Sequence, residues 1–148
     1  MDRYDYMRLA LSEAEKCIET NDVPVGAVFV KNGKVIATGR NLKERDNLGI
    51  LHAEIVAITN ANKALNSTNL SGCELYVTLE PCPMCAGAII NSKIDKVVFG
   101  AFDLKNGACG SVTNLFALPF THKPECFGGI MEDECSNILT EFFKSIRK

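Results

Sequence analysis

Two short segments carry most of the chemistry this chain could do: His52-Ala53-Glu54 and Pro81-Cys82-Pro83-Met84-Cys85. One neutral imidazole and two thiolates make three ligands for Zn2+. Three protein ligands leave the fourth tetrahedral position to water, which is the arrangement of a catalytic rather than a structural zinc. Bound zinc brings the pKa of its water towards about 7, so the expected chemistry is hydrolytic, and a proton must then be carried to the leaving group. Glu54 is the candidate carrier. If His52 and Glu54 open a helix, their spacing points the two side chains in different directions, so the imidazole can hold metal while the carboxylate faces substrate. Pro81 suits the first turn of a second helix, and Cys82 and Cys85, three apart, would share one face near its start, where the dipole favours thiolate.

Two blander readings compete. Cys82 and Cys85 could join two of Cys73, Cys109, Cys126 and Cys135 in a closed zinc site, although closed sites usually show two ligand pairs at knuckle spacing and this chain has one. His52, followed by Ile55, Val56 and Ile58, could be a core histidine on an apolar helix face; the cysteine pair and Glu54 together outweigh that reading.

The elements that must position these residues are legible in the pattern. Tyr6, Leu9, Ala10, Ala14, Cys17 and Ile18 recur at helical spacing and predict a first helix stopping near Asn21 and Asp22. Apolar segments over 25–30 and 35–38 flank Lys31-Asn32-Gly33-Lys34, and Asn-Gly between strands signals a hairpin. After a polar loop over 41–49, residues 52–65 read as a helix, 74–79 as a strand, 83–91 as a helix and 96–100 as a strand. Such strand-helix-strand units imply parallel pairing, with the metal between the two helix starts. A Gly-rich loop over 103–111 and an irregular stretch with Pro119 and Pro124 lead to a last helix over 131–147. The expected architecture is a single domain of class α/β, a three-layer α/β/α sandwich with a mixed central sheet.

At 148 residues and 47% hydrophobic, the chain can bury a sizeable core. No apolar run approaches a membrane span, so no membrane partner is expected. Seven cysteines spread along the whole chain suit a reducing cytoplasm better than a disulfide framework. The net charge of −2 does not advertise nucleic-acid binding, so any such partner must be held by a local patch.

The H-x-E and P-C-x-x-C pair is the signature of zinc nucleobase deaminases. Further segments resemble the bacterial tRNA-specific adenosine deaminases of the cytidine/deoxycytidylate deaminase superfamily: Val23-Pro24-Val25-Gly26-Ala27, Leu75 through Cys82, Met84-Cys85-Ala86-Gly87-Ala88, the loop from Gly100 to Ser111, and Asp133-Glu134-Cys135 before Phe142-Phe143. This resemblance spans nearly the whole chain. It implies a cytidine-deaminase-like fold, a homodimer, no organic cofactor, and conversion of adenosine to inosine at the tRNA wobble position, with an anticodon stem-loop as partner. It also implies that His52, Cys82 and Cys85 hold Zn2+, that Glu54 is the acid/base residue, and that Asn41 and Ala53 meet the target nucleoside. Asp103, Lys105, His122 and Phe143 would lie beside the RNA. Without the resemblance, Asn41 reads as an ordinary loop residue, Asp103 and Lys105 as a capped polar turn, His122 as a solvated loop histidine, and at least one of Phe142 and Phe143 as core.

The chain departs from the family at Leu48-Gly49-Ile50-Leu51, where Asp-Pro-Thr-Ala is common, at Thr68-Asn69, where an aromatic-Arg pair is usual, and at Thr121-His122 in place of Asn-His. These departures touch segments that could meet nucleic acid and leave the zinc chemistry intact. Two rival functions therefore stand beside the first: a deaminase of a free nucleobase or nucleoside such as guanine or cytosine, and a catalytically silent zinc-containing RNA-binding subunit.

Overall fold

The structure, a computed structural model, describes residues 1–146. Helix α1 spans Arg3–Lys16 and begins with a reciprocal capping box between Asp2 and Asp5. A 3-10 turn at Cys17–Thr20 extends it to Asn21, whose left-handed backbone (φ 58°) stops it where the sequence predicts. Strands β1 (Gly26–Lys31) and β2 (Lys34–Arg40) form the expected hairpin, with Asn32 and Gly33 both at positive φ as a type I′ turn requires. The polar loop after β2 contains one short helix that the pattern does not predict, α2 (Lys43–Asp46).

Helix α3 (Ala53–Leu65), strand β3 (Cys73–Leu79), helix α4 (Pro83–Asn91) and strand β4 (Lys96–Ala101) follow as expected. Strand β5 (Glu125–Phe127) falls in the stretch that reads as irregular; three residues between Pro124 and a Gly pair carry no periodicity. Helix α5 occupies Glu132–Ile146, and Arg147, the last residue expected in it, lies outside the described residues.

The five strands form one mixed sheet in the order β2-β1-β3-β4-β5. Pairing is antiparallel across β2-β1-β3 and parallel across β3-β4-β5. Alternation along the strands sorts the core into two layers. Ala27, Phe29, Leu75, Val77, Val97 and Phe99 pack on Ala57 and Ala61 of α3 and Ala86 and Ile89 of α4. Val28, Val30, Tyr76 and Val98 pack on Met7 and Ala10 of α1 and Cys135 of α5. The α/β/α sandwich is thus present, with no helix among the described residues long and apolar enough to cross a membrane.

One close approach fixes the site. A Cβ on Gly39 in β2 would overlap backbone atoms of Ala53 and Ala57, so the first turns of α3 lie directly against that strand. Parallel strands β3 and β4 end beside the starts of α3 and α4, the edge where open α/β sheets bind ligands.

Candidate active site

His52 and Cys82 are the N-cap residues of α3 and α4, both extended (φ −69°, ψ 157° and φ −77°, ψ 174°), and neither side chain caps its own helix. An N-cap side chain ordinarily accepts from the first turn; these two are free to turn towards each other instead. Pro83, not Pro81, takes the first helical position of α4, where a missing N–H removes nothing, and Cys85 follows two residues later. Pro81 lies before the helix, because Cys82 must be the non-helical cap for its sulfur to face His52.

The sulfurs of Cys82 and Cys85 each lie 3.6 Å from His52 Nδ1. Zn–S and Zn–N bonds of about 2.3 and 2.0–2.1 Å meeting at a tetrahedral angle separate S and N by about 3.6 Å, so the three residues fit zinc as they stand. Among the described residues they are the only grouping of three such side chains whose ligand atoms all lie within 4.8 Å of one another. Hydrogen bonding from the Cys85 thiol pulls the Cys82 thiol down to about 4 and pushes Cys85 up. The same sulfur of Cys82 raises His52. A divalent cation at this point would hold both sulfurs as thiolates. The closed alternative fails on placement: Cys73, Cys109, Cys126 and Cys135 do not join this cluster.

Glu54 stands in the first turn of α3, only 4% exposed and outside the ligand set. Burial pushes its carboxyl up to about 7. These groups open into a cleft of about 740 Å3. Ala53 is fully buried within it, and Asn41 and Lys43 line it after β2. Phe102, Asp103, Leu104, Lys105 and Asn106 line it after β4, and Leu139 and Phe143 reach it from α5.

Five expected substrate contacts therefore meet at one cleft: Asn41, Ala53, Asp103, Lys105 and Phe143. Asn41 donates one amide hydrogen to the Val23 carbonyl (3.2 Å) and accepts from the Lys43 N–H (3.0 Å), which leaves one N–H and one lone pair for a ligand. Asp103 accepts from the Lys105 and Asn106 N–H groups at 3.1 and 3.0 Å, so it caps its own turn as well as lining the cleft. Helical spacing places at least one of the aromatic pair in the core, and the structure decides which: Phe142 is buried, whereas Phe143, 39% exposed, faces the cleft with the rings edge to face at 5.5 Å.

His122 is the exception. Its Nε2 donates to the Ile94 carbonyl at 2.6 Å, ahead of β4 and so at the opposite end of that strand from the cleft, and it does not line the cavity. The carbonyl of Ile94, which β4 leaves unpaired, holds the imidazole there.

Sequence reasoning misses two buried carboxylates beside the cleft. Glu80 accepts from the N–H groups of Asp103, Cys109 and Ser111 and from the Ser111 hydroxyl. Asp22 accepts from the N–H groups of Glu44 and Arg45 and from the Thr20 hydroxyl. Nothing local marks either residue, because the backbone donors that saturate them lie more than twenty residues away. A second cleft of about 630 Å3, lined by Arg3, Gly33, Glu74 and Lys96 among others, brings together no such metal-ligating set among the described residues.

A sheet ending at two helix N-termini with one His, two Cys and an unligated Glu defines a zinc-dependent deaminase class. Residues 1–101 match the family described as the cytidine and deoxycytidylate deaminase zinc-binding region, and the chain belongs to that family. Within it the chain is similar to the tRNA-specific adenosine deaminase of Bacillus subtilis (strain 168), 49% identical over 144 residues that cover 97% of this chain and 89% of the relative. A solved structure from a study of A-to-I editing by tRNA:A34 deaminases at the wobble position superimposes with a TM-score of 0.88 at 43% identity, over 91% of this chain and 99% of the other. A guanine deaminase from Bacillus subtilis gives a TM-score of 0.66 at 29% identity, over 82% of this chain and 88% of that one.

Proposed function

We propose that this chain is a zinc-dependent hydrolytic deaminase that converts adenosine to inosine at the wobble position of tRNA. The carrying observation is the ligand triad and buried Glu54 at the bottom of an open cleft, in a chain nearly half identical to a tRNA-specific adenosine deaminase along almost its full length.

Zinc held by His52, Cys82 and Cys85 would supply the acidity that makes a water molecule nucleophilic at neutral pH. Glu54 performs the proton transfers. It takes a proton from the water attacking C6 and hands it to N1. It then carries the remaining hydroxyl proton to the 6-amino group, which leaves as ammonia and yields inosine. A carboxyl held near neutrality by burial can both accept and release a proton at working pH. Asn41 turns its remaining donor and acceptor to the nucleoside, and buried Ala53 borders the base. Asp103 and Lys105 meet the ribose and phosphate beside it, where a carboxylate can accept from a 2′-hydroxyl, and Phe143 stacks on an unpaired base. His122, pinned to Ile94, takes no part in the cleft of its own chain.

The protein works in the cytoplasm as a homodimer on an anticodon stem-loop, without an organic cofactor. Exposed apolar side chains at Leu48, Ile50, Val112 and Phe120 supply surface for a second copy. An unligated carboxylate buried at the ligands argues against a silent subunit.

Zinc-loaded protein incubated with an anticodon stem-loop carrying a wobble adenosine should produce inosine, scored by nuclease digestion and mass spectrometry. Free adenosine, cytosine and guanine run in parallel should stay intact. Ammonia from a free base alone would move the chain to the small-molecule branch, which the guanine deaminase likeness keeps in view.

A further inference from the structure

Glu80 belongs neither to the ligand set nor to the proton path, yet its carboxylate is 2% exposed at the edge of the cleft. A buried carboxylate needs donors, and four converge on it. Oε1 accepts from the Asp103 N–H (3.1 Å) and the Ser111 hydroxyl. Oε2 accepts from the N–H groups of Cys109 (3.1 Å) and Ser111 (3.0 Å). All four come from one loop, and the backbone closes the same ring, since Ala108 N–H donates to the Pro81 carbonyl at 2.8 Å. A Cβ on Gly107 would overlap the Glu80 carboxylate, so the loop has closed around it with no room for a side chain.

The held segment is the cleft's outer wall: Phe102, Asp103, Leu104, Lys105 and Asn106. Phe102 turns back, edge to face on Phe99 at 5.1 Å, but beyond it Leu104 is 81% exposed and Lys105 and Asn106 are exposed too, so packing does not fix the path of the wall's tip. We propose that Glu80 is a positioning residue that sets substrate affinity by clamping this wall through the Asp103 N–H, while leaving the chemistry at Glu54 untouched. The proposal rests on the deaminase reading of the cleft.

Glu80→Gln tests it selectively. The amide oxygen can occupy the Oε2 position and keep the Cys109 and Ser111 N–H bonds. The NH2 then sits at the Oε1 position, where it donates to the Ser111 hydroxyl, which can rotate to accept, but it opposes the Asp103 N–H. Only the wall end of the clamp is released. With zinc content unchanged, the variant should show about tenfold faster hydrogen exchange at the Asp103 amide. KM for the anticodon stem-loop should rise about tenfold, the equivalent of one lost charge-assisted bond, with kcat within twofold of the parent.

A fall in kcat at constant KM would overturn the proposal, because Glu80 would then act on the reaction. Faster exchange with an unaltered KM would overturn it as well, since the wall would not govern affinity, and so would unaltered exchange. Should Glu80→Gln fail to fold, hydrogen exchange in the parent protein still decides: the Asp103 amide, bonded to Glu80 Oε1, should exchange at least about tenfold more slowly than the neighbouring Leu104 amide, and equal exchange would overturn the clamp. Wild-type protein inactive on the stem-loop would defeat the tRNA reading instead. The exchange measurement would still decide the clamp, and the kinetic arm would pass to whichever free base is deaminated.

Discussion

The inner end of the cleft and its rim are built by opposite means. At the inner end, His52, Glu54, Cys82 and Cys85 sit within the first turns of two helices, and each is placed by its own backbone segment: extended caps, a proline at the first helical position, and a strand leading straight in. At the rim, exposed loop side chains are placed by carboxylates remote in sequence, Glu80 beneath 103–111 and Asp22 beneath α2. The first region needs only local geometry and one helix pair brought together. The second needs buried charge saturated by distant donors. The metal ligands are therefore stored in short motifs, and the path of the rim loops in long-range contacts.

The sharpest way to break that division is at the ligands. Cys82→Ser/Cys85→Ser should lose stoichiometric zinc and all detectable turnover, with lower stability because ligation supports the local fold; metal analysis and thermal unfolding check this. Retained zinc would sink the ligand assignment. Next in size, Glu54→Gln should keep its zinc and its RNA affinity while kcat drops about a thousandfold, within the usual range for removing a general acid/base. Full turnover in that protein would remove Glu54 from the mechanism.

The aromatic pair sharpens the comparison within a single helix. Phe142→Ala should destabilise the fold by about 3–5 kcal/mol in denaturant titration, because that ring is buried. Phe143→Ala should leave stability within about 1 kcal/mol and raise KM for the stem-loop several-fold. The reverse pattern would mean that the rim reaches further into the core than the burial suggests.

An effect absent at neutral pH and felt only in alkali concerns Cys135, buried beneath the sheet and outside the ligand set. Burial raises its thiol to about 12 from an ordinary 9. Between those values the unfolded thiol has lost its proton and the folded one keeps it, so stability is intact below pH 9 and falls as pH rises towards 12. The slope from this group is about 1.4 kcal/mol per pH unit, and Cys135→Ala should flatten alkaline unfolding by that amount.

The ligands and Glu54 are legible in the sequence because metal ligation demands particular residue types at fixed spacing. The hairpin is legible because Asn32 and Gly33 tolerate positive φ. The helix-starting proline is not: Pro81 and Pro83 both suit a helix start, and only the need for an extended Cys82 cap separates them. Strand β5 is hidden because three residues show no period. The place of His122 is hidden because a loop histidine's partner, in this chain a carbonyl before β4, has no local signature.

By itself, the sequence determined the sandwich class, the order of its main helices and strands, the zinc triad and the unligated Glu54 beside it. Each of these is encoded within short segments, through periodicity, capping or ligand spacing, the triad drawing on two such segments thirty residues apart. Only the tertiary structure decided the place of β1 between β2 and β3, the division of labour between Phe142 and Phe143, and the anchoring of the two rim loops on Asp22 and Glu80. Those outcomes depend on which groups become buried together, and the burial of a polar group acquires its meaning only when its distant donors arrive.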